Sequence, residues 1–252
     1  MKRIFGRMGF KILSLENYKR LMEREAVPYL TYNKDQLLQD FYNLLKDQDF
    51  HPENIFDIGA NKGTWSKECM RAFPNSRYYL FEPQKELESD IHENLKKCGN
   101  YEVFQVGVGN TNKEMNFTIH ERDDSCSFLY SVDEASERGF KQVNIPMVRL
   151  EDFVKTQGLE YPSMIKIDAE GLDLEVLEGT GDLLSHTEVI LVEAGVMNKR
   201  IPNTMLKVLE NLDSKGFRMF DITEMNRPFS NGVLWLCELV FIKKNGVLDK
   251  KI

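Results

Sequence analysis

Cysteine is scarce: the 252 residues hold four, Cys69, Cys98, Cys126 and Cys237, far apart and with no CxxC pair among them. That scatter is poor material for a zinc site or a disulfide framework. It reads instead as the reduced thiols of a cytoplasmic protein. Long apolar runs are missing too. None approaches the ~20 residues of a membrane span, so stable insertion in a bilayer is not expected. The first residues, MKRIFGRMGFKIL, are basic but lack a long apolar core and a small-residue cleavage site, and do not read as a signal peptide. A basic excess is also absent. Forty acidic side chains face 33 basic ones, a net charge of -7, which gives no support for nucleic acid as a partner. Internal repeats and low-complexity tracts are not found.

What is present divides at residue 54. Residues 1–53 read as a helical cap: one helix from Ser14 to about Glu25, an interruption at Pro28, and a second helix over Lys34–Lys46 with Leu37, Leu38, Phe41, Leu44 and Leu45 at helical spacing. Over 54–252, apolar runs of strand length alternate with helical stretches. The strands are Asn54–Ile58, Arg77–Phe81, Tyr101–Val108, Met164–Ile167, Glu188–Val192, Phe217–Phe220 and Leu234–Ile242. The helices are Thr64–Phe73, Lys85–Lys96, one around Leu172–Leu184 and one near Pro202–Ser214. This alternation predicts a doubly wound α/β domain: seven strands, mostly parallel, with helices on both faces. No helix separates the last two strands, so the sheet should end in an antiparallel hairpin. The segment 110–147 breaks the alternation. It reads as an inserted hairpin or loop, with strands at Met115–His120 and Val143–Val148, beside the carboxyl ends of the strands where such sheets bind ligands.

The chemistry is concentrated in Asp57-Ile58-Gly59-Ala60-Asn61-Lys62-Gly63, between the first strand of the domain and its first helix. Glycines there permit a sharp turn and a close backbone approach to a ligand. The spacing is not the G-x-G-x-x-G of a dinucleotide fold, and Thr64-Trp65 after Gly63 rules out a Walker loop. Asp57 at the turn would repel a pyrophosphate. S-adenosylmethionine carries no phosphate, and its positive sulfonium and ammonium groups favour a nearby carboxylate. Glu82 closes the second strand about 20 residues past the turn, where a carboxylate accepts hydrogen bonds from ribose hydroxyls. Further on, Asp168 ends a strand and shares its face with Lys166, a buried lysine that needs Asp57 or Asp168 as partner. Glu193 ends the next strand and can flank the same crevice. The residues assigned to the cofactor are therefore Asp57, Gly59, Asn61, Gly63, Glu82, Lys166 and Asp168.

Together these segments resemble the FkbM family of methyltransferases. The resemblance is carried by DIGANKG (57–63), FEP (81–83), VRLEDF (148–153), IKIDAEGLDLEVLEG (165–179), VILVEAG (189–195) and LWLCELVFIKK (234–244). It implies a class I, Rossmann-like methyltransferase fold and methyl transfer to oxygen, with hydroxyls of sugars, glycan intermediates or secondary metabolites as acceptors. Ser125 and Ser127 resemble the family's serine-rich loop and receive no role. An in-line methyl transfer needs alignment, exclusion of water and a base. Asp168 is the first candidate base, with Glu193 and His120 behind it. Glu170 serves equally well as a helix-capping acid. No metal is expected. The competing readings are a non-catalytic cofactor-binding module and a nicotinamide-dependent oxidoreductase on a similar sheet.

Overall fold

The structure, a computed structural model, describes residues 36–120, 126–199 and 201–251. The helix expected over 14–25 and most of the polar stretch after His120 lie outside the described residues. Ten strands are described: β1 (Asn54–Ile58), β2 (Arg77–Phe81), β3 (Asn100–Phe104), β4 (Gly107–Gly109), β5 (Lys113–Ile119), β6 (Lys141–Arg149), β7 (Met164–Ile167), β8 (Val189–Gly195), β9 (Phe217–Asn226) and β10 (Leu236–Lys243). The α-helices are α1 (Leu37–Asp47), α2 (Thr64–Ala72), α3 (Glu88–Leu95), α4 (Val132–Glu137), α5 (Leu150–Gln157), α6 (Asp173–Gly179) and α7 (Met205–Ser214).

The main sheet has the order β3-β2-β1-β7-β8-β10-β9. The first five strands run parallel, and β10 is antiparallel to both β8 and β9. This is the doubly wound α/β fold expected, with its seven strands and its terminal hairpin. Strands such as NIFDI and MIKI are near-continuous apolar runs because helices cover both of their faces. Successive side chains feed two separate cores. Phe56, Ile58, Tyr79, Phe81, Ile165 and Ile167 pack against α5, α6 and α7. Ile55, Tyr78, Leu80, Met164 and Leu191 pack against α1, α2 and α3.

Several expectations need correction. The helix read as Lys34–Lys46 is α1, and Phe41, Tyr42 and Leu45 on it are fully buried. It packs into the second core, against the main sheet. The strand read as Tyr101–Val108 splits in two. β3 stays in the main sheet, whereas β4 pairs with β6 in a second sheet of order β4-β6-β5. The inserted hairpin is present as β5 and β6, antiparallel, with Phe117 opposite Val143. Between them lies α4, whose start at Ser131 carries a capping box with Glu134. The segment 148–153 holds the end of β6 and the start of α5, a helix not anticipated. No helix among the described residues is long and apolar enough to cross a membrane.

Candidate active site

The order of the main sheet places the exits of β1 and β7 side by side. After Ile58 the chain turns at Gly59, whose φ of 78° suits glycine. The amides of Gly59 and Ala60 both donate to the carbonyl of Phe81 at the end of β2. A Cβ on Gly59 would stand 1.9 Å from the carbonyl oxygen of Asp168, so the two loops meet backbone to backbone. Asn61 (φ 47°) carries the turn on to Gly63, which caps α2 in the left-handed conformation. Glu82, 3% exposed, grips this turn: Oε2 accepts the Asn61 amide at 2.7 Å and Oε1 accepts the Gln84 amide at 2.8 Å. Burial raises the Glu82 pKa against the pull of those amides.

Above this turn lies a cleft of about 620 Å³, open to solvent. Gly59, Asn61 and Glu82 line it on one side, and Asp168, Ala169 and Glu170 on the other. Ile58, Phe81, Phe117, Phe128 and Leu172 supply apolar walls. Its charged lining residues, Glu82, Asp168 and Glu170, are all acidic. A second cavity of about 240 Å³ adjoins it, lined by Asp168, Glu193, Glu224, Asn226, Leu236, Cys237 and Glu238. Asp168 lines both.

One face of the sheet explains this charge. Asp57 pairs in register with Lys166, and Glu193 with Glu238, which in turn pairs with Glu224. Lys166 pairs with Leu191 on β8, two residues before Glu193, so two groups of ionisable side chains, Asp57 with Lys166 and Glu193 with Glu238 and Glu224, share one face of the sheet. Lys166 Nζ donates to Asp168 Oδ2 at 2.9 Å and lies 3.9 Å from Asp57 Oδ1. Burial opposes the charge on Lys166, but Asp168, Asp57 and Glu238 outweigh it and hold the ammonium above its usual range. Asp57 is fully buried and accepts from Ser66 Oγ at 2.6 Å. Burial raises its pKa, with Lys166 and Ser66 opposing. Burial, with Asp168, Asp173 and Glu170 nearby, pushes Glu193 up to about 10. Burial also brings Glu238 to about 7, while Lys166 and the hydroxyl of Thr223 oppose the rise.

Gly59, Asn61, Glu82 and Asp168 thus meet at the cleft. Asp57, Gly63 and Lys166 line neither cavity. Asp57 lies beneath the turn and not at its mouth, because Ser66 on α2 and Lys166 on β7 enclose it. Glu193 faces the second cavity, where burial and the neighbouring carboxylates favour its protonated form. His120 stands apart from both cavities. Its ring packs 4.3 Å from Phe140 and 5.4 Å from Tyr130, centroid to centroid, and lines neither cavity.

Sequence reasoning missed Glu224, Asn226 and Glu238 on the terminal hairpin. A lone carboxylate inside the apolar run LWLCELVF was the available signal for Glu238, the same kind of signal that singles out Lys166. No three His, Cys, Asp or Glu side chains among the described residues converge to hold a metal ion.

Residues 57–219, well over half of the chain, match the family described as the methyltransferase FkbM domain. The 2-O-methyltransferase NoeI of Sinorhizobium fredii is 25% identical over 55% of this chain and 62% of its own length, so the match leaves over a third of NoeI uncovered. The hexuronic acid methyltransferase AglP of Haloferax volcanii is 24% identical over 75% of this chain and 73% of its own length. Methyltransferase sdnD of Sordaria araneosa is 26% identical, covering 84% of this chain and 92% of itself.

Proposed function

The chain belongs to the FkbM methyltransferase family, and from that premise we propose that it moves a methyl group from S-adenosylmethionine to a hydroxyl of a sugar, glycan intermediate or secondary metabolite. The observation that carries this reading is that Asp168 lines both cavities, the cleft beside the glycine turn and the acidic pocket beside it. The names of NoeI and AglP support oxygen and sugars as the chemistry.

The cofactor fits the larger cleft by charge. Among the described residues no lysine, arginine or histidine lines it to neutralise a phosphate, whereas its three carboxylates suit a cation. Gly59, Asn61 and Glu82 would hold it on one side, with Asp168 and Glu170 on the other. Bound there, it supplies an electrophilic methyl group on a positive sulfur that departs as a neutral thioether.

The chain's own residues do the rest. Lys166 engages Oδ2 of Asp168 and leaves Oδ1 to accept the proton of the acceptor hydroxyl. Glu193 lines the second cavity beside Asp168, where it would help to orient the acceptor. The apolar walls of the cleft exclude water. Among the described residues, the second cavity offers an acidic acceptor no lysine, arginine or histidine in its lining, which favours neutral hydroxyl compounds. The four cysteines are free, which fits a reducing, cytoplasmic setting. The net charge of -7 fits a small-molecule acceptor better than nucleic acid.

Transfer of labelled methyl from S-adenosylmethionine to a panel of neutral sugars, uronic acids and amines tests the reading. Transfer to neutral hydroxyls is expected, and Asp168→Asn should lower kcat by about 10²–10⁴-fold. Transfer to amines alone would overturn it, and a wild-type kcat in Asp168→Asn would remove Asp168 as base.

A further inference from the structure

Beneath the loop that follows β7 lies a buried pair, Asp173 and Asn203, that lines neither cavity. Asp173 opens α6 and turns its carboxylate back under the loop. Oδ1 accepts the amide of Ala169 at 3.2 Å, and Oδ2 accepts that of Gly171 at 3.1 Å. Asn203 stands 30 positions further along and donates twice through Nδ2: to Asp173 Oδ2 at 2.8 Å and to the carbonyl of Glu193 at 3.1 Å. Its own carbonyl accepts the amide of Gly195 at 2.9 Å. Both side chains are fully buried. The pair therefore ties the loop carrying Asp168 to the strand end carrying Glu193.

Two observations show that these contacts do more than fill space. Glu170 (φ 47°) and Gly171 (φ 99°) are both left-handed, a conformation that a non-glycine residue keeps only where its surroundings hold it. The Asn203 Oδ1 is buried with no hydrogen-bond partner, a penalty that a leucine of similar size would not carry. The orientation of the amide is fixed, because a carboxylate and a carbonyl both require its NH₂ side.

We infer that Asp173 and Asn203 are positioning residues for methyl transfer, setting where Asp168 stands relative to Glu193 and to the cofactor cleft. This inference rests on the methyl-transfer reading of the site. Neither residue touches the reacting groups. They act through the backbone of residues 168–171 and the end of β8.

The test is Asn203→Leu, which keeps the volume and removes both donors, read against wild type in three ways. The melting temperature should stay within about 5 °C. Amide exchange at Ala169 and Gly171 should accelerate about tenfold or more, because their carboxylate partner is no longer held. The kcat should fall about 10–100-fold, with the KM for S-adenosylmethionine changed less than about threefold, as expected of a reacting group displaced by a fraction of an ångström.

A folded variant with wild-type exchange and wild-type kcat overturns the inference, and so does a fall in kcat without faster exchange. If Asn203→Leu does not fold, Asp173→Asn, which keeps the shape and loses one acceptor, is read by the same criteria. A wild-type protein that binds no S-adenosylhomocysteine overturns the methyl-transfer reading, and exchange at Ala169 and Gly171 then still decides whether the pair holds the loop.

Discussion

Both carboxylate oxygens of Glu82 accept backbone amides of residues that line the cofactor cleft, Asn61 and Gln84. Glu82→Gln would turn an NH₂ group toward one of those amides and set donor against donor. A hydrogen bond to a charged group contributes about 1.5–3 kcal/mol. S-adenosylhomocysteine should therefore bind the variant about 10–100-fold more weakly by calorimetry, and equal affinity would exclude Glu82 from the cleft's recognition. Its place was legible in the sequence because a carboxylate at a strand end, after a glycine turn, has few other positions to occupy. Asp57 was legible as important and misread in position. Ile58 follows it inside the same strand, so its side chain points to the face that α2 covers, and no local pattern reveals that cover. The raised pKa of Glu193 was beyond reach for a different reason. It depends on Asp168, Asp173 and Glu170 gathering around one buried group.

At the scale of elements, the parallel strands were readable because a strand buried on both faces is an unbroken apolar run. The hairpin was less so. Its β9 strand extends to Asn226, beyond the Phe220 read from the sequence, because register shifts against β10 disturb the alternation on which such a reading depends. The short helices α4 and α5, of 6 and 8 residues, are too brief to establish a period. α1 was found within a few residues, but its partners were not. Phe41 meets Phe220 of β9 edge to face at 6.4 Å and is fully exposed to neither solvent nor cleft. If α1 is core, Phe41→Ala should destabilise the protein by about 3–5 kcal/mol in urea unfolding. A detachable cap would show less than 1 kcal/mol on the same order-of-magnitude scale.

The whole molecule carries buried acids whose pKa values are raised first of all by burial: Glu238 and Asp173 to about 7, with Asp57 and Glu82 also above their usual range. The sign follows from linkage. A raised pKa means that the folded chain holds a proton the unfolded chain releases, so the associated stability is complete below about pH 4 and is lost as pH rises to about 7. The melting temperature should fall between pH 5 and pH 8. Glu238→Gln should flatten that fall and raise stability at pH 8, by up to ~3 kcal/mol. A melting temperature that rises across this range would show that these acids are ionised without penalty. This behaviour was invisible in the sequence, since a net charge of -7 says nothing of which carboxylates share one face of one sheet.

The pairing of β1 with β7 also has a consequence in time. Ile55 bonds beside Met164, about 110 residues later in the chain. At ~5–20 residues per second, a ribosome needs roughly 5–20 s to make that stretch. For most of that interval the nascent chain has β1 and β2 but not the strand that covers the inner edge of β1. An open edge of apolar strand is a template for unwanted pairing. The strand that brings Lys166 to Asp57 and presents Asp168 to both cavities is also the one that closes this edge.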